Sequence, residues 1–269
     1  MTMYAFSYHR PDTVRQAAGL LVRKEDAKLI AGGHTLLPTM KQRLASPGAL
    51  IDLGAVSEMK GIERRGRAVF IGAMTTHGEV AESAIVREAI PGLAELAGGI
   101  GDPQVRHRGT IGGSVANNDP AACYPAACLA LGATIITNKR RIPAEEFFQG
   151  MFDTALEEGE IITKVAFPVP SKAAYAKFRN PASRYALVGV FVAKRGSDVR
   201  VAVTGAGAAG VFRWAAAEEA LSRRFSSKSL VGLTASAEGI NSDIHADAEY
   251  RAHLIGVMTR RAVDAAVNR

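Results

Sequence analysis

The 269-residue sequence predicts an α+β fold in which two small α/β subdomains precede an antiparallel sheet with helices of its own. Three observations lead there. Helix-type and strand-type patterns alternate through roughly the first 170 residues, as in βα units. The texture then changes at Pro168-Val169-Pro170, where a proline-marked connection reads as a domain boundary. Beyond it come three strand-like runs and then two helices.

Each element has a local reason. "DTVRQAAGLL" (Asp12–Leu21) opens with two residues able to cap a helix, Asp12 and Thr13, and places Ala17, Leu20 and Leu21 on one face. "AKLIAGG" is a short strand running into a glycine turn, and Leu36–Leu44 is a short helix closed by Pro47-Gly48. "ALIDL" and "AVFIGAMTT" follow as strands, and Thr76 is placed to cap a helix over Glu79–Val86. Pro91–Ala97 is helical. The next stretch, "GGIGDPQVRHRGTIGGS", reads as a long glycine-rich loop with little room for regular structure. Pro125–Leu131 is a helix and "ATIIT" a strand, before "RIPAEEFF". Past the boundary, "AYAKF", "ALVGVFVAK" and "DVRVAVTGAG" read as three antiparallel strands, with helices over Phe212–Arg224 and Tyr250–Val267.

Composition narrows the function. Hydrophobic residues make up 48% and charged residues 22%, the balance of an ordinary globular protein. No apolar run approaches the ~20 residues of a membrane span. "MTMYAFSYHRPDTV" lacks the order of a signal peptide, so a cytoplasmic location is expected. Two cysteines, Cys123 and Cys128, imply no disulfide framework. Five positions apart on a helix, they diverge by about 140° and make a poor metal clip, so no metal site is expected. The net charge of +7 raises the question of nucleic acid. The basic residues are dispersed, however, with Arg64, Arg65 and Arg67 and Lys139–Arg141 at hairpin turns or strand ends. Aromatic content is only 6%, with no ladder for base stacking. A solvated basic surface or an acidic partner is expected, not nucleic acid.

The chemistry concentrates in two glycine pairs. "LIAGGHTLLPTMK" holds Gly32-Gly33, and "HRGTIGGSVANNDPAACYP" holds Gly112-Gly113, each after an apolar segment and before a polar one. A Gly-Gly step lets backbone pass close to a ligand and can aim successive N–H groups at an anion. His34-Thr35 and Ser114 then add side-chain donors. One such turn from each subdomain would grip a pyrophosphate, as a long nucleotide cofactor needs. A third cluster, Gly205-x-Gly207-x-x-Gly210, stands between a strand and a helix like the dinucleotide fingerprint. The acidic residue required roughly twenty positions on is missing from "SSKSLV", and the strands before it form a meander, so a nicotinamide site is rejected.

Together, "AGGHTLLPTMKQRLASPGALIDL", "IGAMTTHGEV", "DPQVRHRGTIGGSVANNDPAA", "FDTALEEGEIITKVAFPVP" and "AEYRAHLIGVMTRRAV" are similar to the flavoprotein (medium) subunits of the molybdenum hydroxylases. The carbon monoxide dehydrogenase branch is the nearest match, and the resemblance runs in order over essentially the whole chain. It implies an FAD-binding domain over residues 1–170, in subdomains of about 1–55 and 56–170, of the vanillyl-alcohol oxidase/p-cresol methylhydroxylase type. A smaller C-terminal flavoprotein domain over 171–269, a three-stranded sheet plus helices, would follow. FAD would be held non-covalently, with Ala31, Gly32, Gly33, His34 and Thr35 as the first pyrophosphate turn and Thr110, Ile111, Gly112, Gly113 and Ser114 as the second. Gly72, Ala73, Ile100 and Gly101 would line the flavin cleft, with Asn117 and Asp119 continuing along the cofactor. Glu160 and Ile162 fall in a further matching stretch, and Tyr185 also belongs to the implied site. Lys177 matches a lysine near the flavin ring, where a cation stabilises the anionic reduced form.

Two positions depart from the family pattern. Cys123 stands in "DPAACYPA" where the family reads "DPAADLPA". Losing a carboxylate's hydrogen bond there costs on the order of 1 kcal/mol, about tenfold in FAD affinity, unless Tyr124 compensates. Arg184 in "SRYAL" stands where an Asp often precedes the tyrosine. The family's function implies no catalytic residue in this chain. Substrate would be oxidised at a molybdopterin centre in a large subunit. Electrons would cross two [2Fe-2S] clusters in an iron–sulfur small subunit to this flavin and on to an external acceptor, in a dimer of heterotrimers. Arg106 and Arg108, flanking the second turn, are candidates to meet an acidic partner face. Two alternatives are a stand-alone FAD oxidase of the vanillyl-alcohol type and a flavin-less scaffold subunit.

Overall fold

A computed structural model of the chain describes residues 3–268. Its first sheet is built by β1 (Ser7–His9), α1 (Val14–Arg23), β2 (Ala27–Ile30), α2 (Leu36–Lys41) and β3 (Ala49–Asp52). β3 lies between β1 and β2 and runs parallel to both, so the helices serve as the crossovers that parallel neighbours require. Thr13, not Asp12, caps α1, accepting the Gln16 N–H at 3.2 Å. β1 was not expected, because three largely exposed residues carry too little pattern to read. α2 ends before the expected Leu44, since Arg43 adopts left-handed backbone at φ +61°.

The second sheet begins with the hairpin of β4 (Ile62–Arg65) and β5 (Ala68–Gly72), with Gly66 at its turn; β4 too was unexpected. The chain then leaves for six helices: α3 (His77–Glu82), α4 (Ala84–Ala89), α5 (Pro91–Gly98), α6 (Pro103–Arg108), α7 (Ile111–Asn117) and α8 (Tyr124–Leu131). Thr76 caps α3 reciprocally with Glu79, but the helix expected to continue to Val86 is interrupted. Ser83 ends α3 and caps α4 through the Val86 N–H. The expected glycine-rich loop is also corrected, because it contains two short helices. Asp102 accepts the Val105 N–H and starts α6, and Thr110 accepts the Gly113 N–H and starts α7. These caps, with burial of Ile111 and Val115, offset the roughly 1 kcal/mol that each helical glycine costs. The chain returns through β6 (Thr134–Thr137), β7 (Arg141–Pro143), α9 (Ala144–Phe147), β8 (Phe148–Gly150), β9 (Asp153–Thr154) and β10 (Ile162–Pro168). The sheet order is β4-β5-β10-β6-β7, antiparallel throughout, with β8 and β9 paired separately.

The third sheet is the antiparallel meander β11 (Lys172–Arg179), β12 (Ala186–Arg195) and β13 (Asp198–Thr204), extended by β14 (Phe212–Arg213). Phe212 and Arg213, expected to open a helix, are therefore strand, and α10 spans Ala215–Arg223. α11 (Ala248–Val267) starts on Asp247, which accepts the Tyr250 N–H. Alternation on β12 explains how the sheet is covered on both faces. Val188, Val190 and Val192 join the core under α11, while Phe191 and Ala193 join the core shared with the second sheet. α8, buried at all eight positions, lies on that second face against β12 and β13, where a helix apolar all round belongs. The Gly205, Gly207 and Gly210 cluster links β13 to antiparallel β14, not to a crossover helix, and lies outside the cleft described next.

Candidate functional site

A cleft of ≈ 1230 Å³ is lined by the first sheet, the helical insertion and the β11–β12 loop. It exceeds the roughly 300–1,000 Å³ of a usual small-ligand pocket and suits an elongated ligand. β2 ends at Ile30 and the chain turns through Ala31–Thr35 into α2, at the carboxyl end of a parallel strand, where α/β sheets bind ligands. A Cβ on Gly32 would overlap the Arg108 carbonyl, so this glycine lets the first turn rest against the start of the second. Gly33 takes φ +74°, a conformation that other residues resist. The N–H groups of Gly32, Gly33, His34 and Thr35 donate to no protein acceptor among the described residues. All five residues of the turn line the cleft. Successive unpartnered donors of this kind suit an anion.

The second pair works differently. A Cβ on Gly112 would lie 2.5 Å from that of Ala73, so Gly112 seats α7 against the end of β5. The N–H groups of Ile111 and Gly112 donate to the Thr75 and Ala73 carbonyls at 3.1 and 2.8 Å. Those of Gly113 and Ser114 donate to Thr110, through Oγ1 and the carbonyl. The expectation that this pair also aims N–H groups at an anion is therefore corrected: helix formation and sheet contacts use them. What α7 offers instead is side chains. Ser114 and Asn117, three apart and hence on one face, line the cleft, and their side chains bond to no described residue. Thr110, Gly113 and Asp119 line it too, with Asp119 Oδ1 accepting the Ala121 N–H at 2.8 Å.

One end of the cleft is closed by Ile100, Gly101, Cys123, Lys177 and Tyr185. Lys177 Nζ donates to the Gly99 carbonyl at 2.8 Å and the Arg184 carbonyl at 3.2 Å, and lies 3.5 Å from Cys123 Sγ. Arg106, expected to face a partner, is instead turned onto this wall, donating to the Ile100 and Gly101 carbonyls at 3.0 and 3.2 Å. Arg108 is exposed. Tyr185 is 52% exposed and follows Arg184, whose φ of +61° sets the turn. Burial of its phenol, then the nearby Asp119 carboxylate, raise the Tyr185 pKa.

Ala73 and Ile162 line the cleft, while Gly72, Ile111 and Glu160 stand behind its wall. Gly72 is a packing residue of β5 over Met59, and Ile111 is fully buried in the core. Glu160 accepts hydrogen bonds from Thr137 Oγ1, from the Arg140 guanidinium and from the Glu157 N–H. Burial works to raise its pKa, and these donors outweigh it and hold the carboxyl at about 2. Sequence reasoning missed His77, Met74, Leu53 and Leu156 in the lining. His77 is buried, with Nδ1 unpartnered, and its pKa is lowered to about 4 by burial and then by His34 and Arg106. In "TTHGEV" only the cap was legible, because a histidine that begins a helix does not announce which side it buries. Among the described residues, no cluster of three or more His, Cys, Asp or Glu is placed to hold a metal ion, and no helix is long and apolar enough to cross a membrane.

Comparison with known proteins bears on what the cleft holds. Residues 4–170 match the family described as FAD binding domain in molybdopterin dehydrogenase. The carbon monoxide dehydrogenase medium chain of Hydrogenophaga pseudoflava is 36% identical, over 97% of this chain and 96% of its own. The nicotine 6-hydroxylase medium subunit of Paenarthrobacter nicotinovorans is 37% identical over 98% of each. Reconstituted CO dehydrogenase from Oligotropha carboxidovorans superposes with a TM-score of 0.90 at 35% identity, covering 100% of both chains. A parallel β-α-β turn with unpartnered N–H groups, a helical second turn and an antiparallel C-terminal sheet thus occur in a chain that belongs to the FAD-binding medium subunits of the molybdenum-dependent dehydrogenases.

Proposed function

We propose that FAD lies in this cleft and that the chain relays electrons from an iron–sulfur cluster of a small partner subunit to an external acceptor. The observation that carries this reading is the run of unpartnered N–H groups from Gly32 to Thr35, in a cleft that also presents the unbonded side chains of Ser114 and Asn117. The donor set fits the cofactor. Backbone N–H groups take the pyrophosphate, and hydroxyl and amide groups suit the polyol beside it. The end formed by Ile100, Gly101, Lys177 and Tyr185 receives the ring. Bound there, FAD supplies a two-electron store. The chain's own residues bind and orient it: the first turn holds the anion, Gly113 leaves its path clear, and Lys177 offers a cation.

Substrate oxidation belongs, on this reading, to a molybdopterin large subunit, within a cytoplasmic dimer of heterotrimers. The names of the relatives, medium chain and medium subunit, support membership of a larger assembly. The exposed Arg108 beside the second turn is the better candidate to meet an acidic partner. The purified chain is expected to be yellow and to release FAD on denaturation. Dithionite should bleach the flavin in the isolated chain, and the substrate of the complex should do so only with both partners present. Steady turnover of a small alcohol or amine with oxygen by the chain alone would overturn the relay reading.

A further inference from the structure

The cation at the ring end of the cleft has an unusual set of neighbours. Lys177 Nζ is held by two main-chain carbonyls and lies against a sulfur, that of Cys123, and none of the three is a carboxylate. The fold explains the contact. Lys177 and Tyr175 are two apart on β11 and point the same way, towards the residue that precedes α8. Cys123 stands there as the N-cap residue, buried, its side chain making no capping bond. The other charged side chains at this end are Asp119, which also accepts the Ala121 N–H, Arg184, and Arg106, whose guanidinium is engaged by the Ile100 and Gly101 carbonyls. An acidic side chain at position 123 would stand against the Lys177 ammonium and neutralise it.

We propose that Cys123 sets the charge at the redox end of the cleft: by withholding a carboxylate from Lys177, it leaves an uncompensated ammonium that favours the reduced cofactor over the oxidised one. The reasoning is electrostatic. Uptake of two electrons and one proton leaves the flavin with one more negative charge than before, and an unpaired cation in a partly desolvated wall stabilises that charge more than it stabilises the neutral oxidised ring. A carboxylate at 123 would act against it twice, by pairing with Lys177 and by repelling the new charge directly.

This rests on the reading that FAD occupies the cleft with its ring at the Lys177 end, and the test separates the two. The full-length chain, Cys123→Asp, Cys123→Asn and Lys177→Gln are each loaded with FAD and titrated anaerobically with dithionite against a reference dye, which gives the flavin midpoint. Cys123→Asp and Lys177→Gln should each lower the ratio of reduced-FAD to oxidised-FAD affinity about tenfold, which moves the midpoint of a two-electron couple by about 30 mV to more negative values. Cys123→Asn, equal to Asp in shape but without its charge, should stay within about threefold of the parent. If Asp and Asn shift the midpoint alike, or neither Asp nor Gln moves it, position 123 has no electrostatic role and the inference falls. If the parent chain takes up no FAD at all, the reading of the cleft falls instead.

Discussion

Replacing Glu160 by Gln tests whether the wall behind the cleft is held by a buried carboxylate. The Glu160 side chain has no exposed surface and accepts from Thr137 Oγ1 at 2.7 Å, from Arg140 Nε and a terminal guanidinium nitrogen at 3.0 Å each, and from the Glu157 N–H at 2.9 Å. Its pKa falls from 4.5 to about 2, burial opposing and the donors prevailing. At roughly 1.4 kcal/mol per pH unit this corresponds to about 3 kcal/mol. Arg140 is 42% exposed, and solvent screening brings the figure to about 2 kcal/mol. A carboxyl depressed on folding stabilises the protein fully above its unfolded pKa, and the contribution fades as pH falls from 4.5 towards 2. Urea denaturation at pH 7 should therefore show Glu160→Gln less stable by about 2 kcal/mol, with the gap closing progressively below pH 4.5. FAD affinity should fall as well, since Gly159, Ile161 and Ile162 beside it line the cleft. Equal stability at pH 7, or a gap unchanged at pH 3, would refute the reasoning.

The glycine pairs separate packing from binding. Gly112→Ala places a methyl 2.5 Å from Ala73 Cβ and should cost about 1–3 kcal/mol in thermal or urea unfolding. A Cβ at position 113 would lie 3.0 Å from Thr110 Oγ1 and 3.7 Å from Ala31 Cβ, with no backbone overlap, so Gly113→Val should fold and yet lose FAD uptake; normal uptake would show that the cofactor passes elsewhere. Gly33→Val should lose both, because it combines φ +74° with crowding against Leu37. In the C-terminal part, buried Arg251 donates to the Leu187 and Gly205 carbonyls at 2.8 Å each and to Asp243 at 2.7 Å. Arg251→Leu should destabilise by about 3 kcal/mol, read as a lower urea midpoint.

The sequence by itself determined those features whose cause lies within a few residues. The helix start at Asp12-Thr13, the Thr76 cap, the β2 strand leading into Gly32-Gly33 and the meander from β11 to β13 follow from capping chemistry, turn residues and period-two patterning. The turn after β2 was legible for the same reason, and the second glycine pair was not. Tertiary structure decided what depends on partners distant in the chain. The stretch with Gly112-Gly113 becomes helix because Ala73 and Thr75 accept its N–H groups and the core takes Ile111, contacts that no local pattern encodes. That choice leaves the first turn, and not the second, with successive unpartnered N–H groups. Glu160 and Arg140 stand twenty residues apart, and Cys123 and Lys177 fifty-four, so their pairing arises only when β10 lies beside β6 and β11 faces the start of α8. Charge balance in the cleft is a property of that juxtaposition, because electrostatic interactions depend on distance and burial in space and not on separation along the chain.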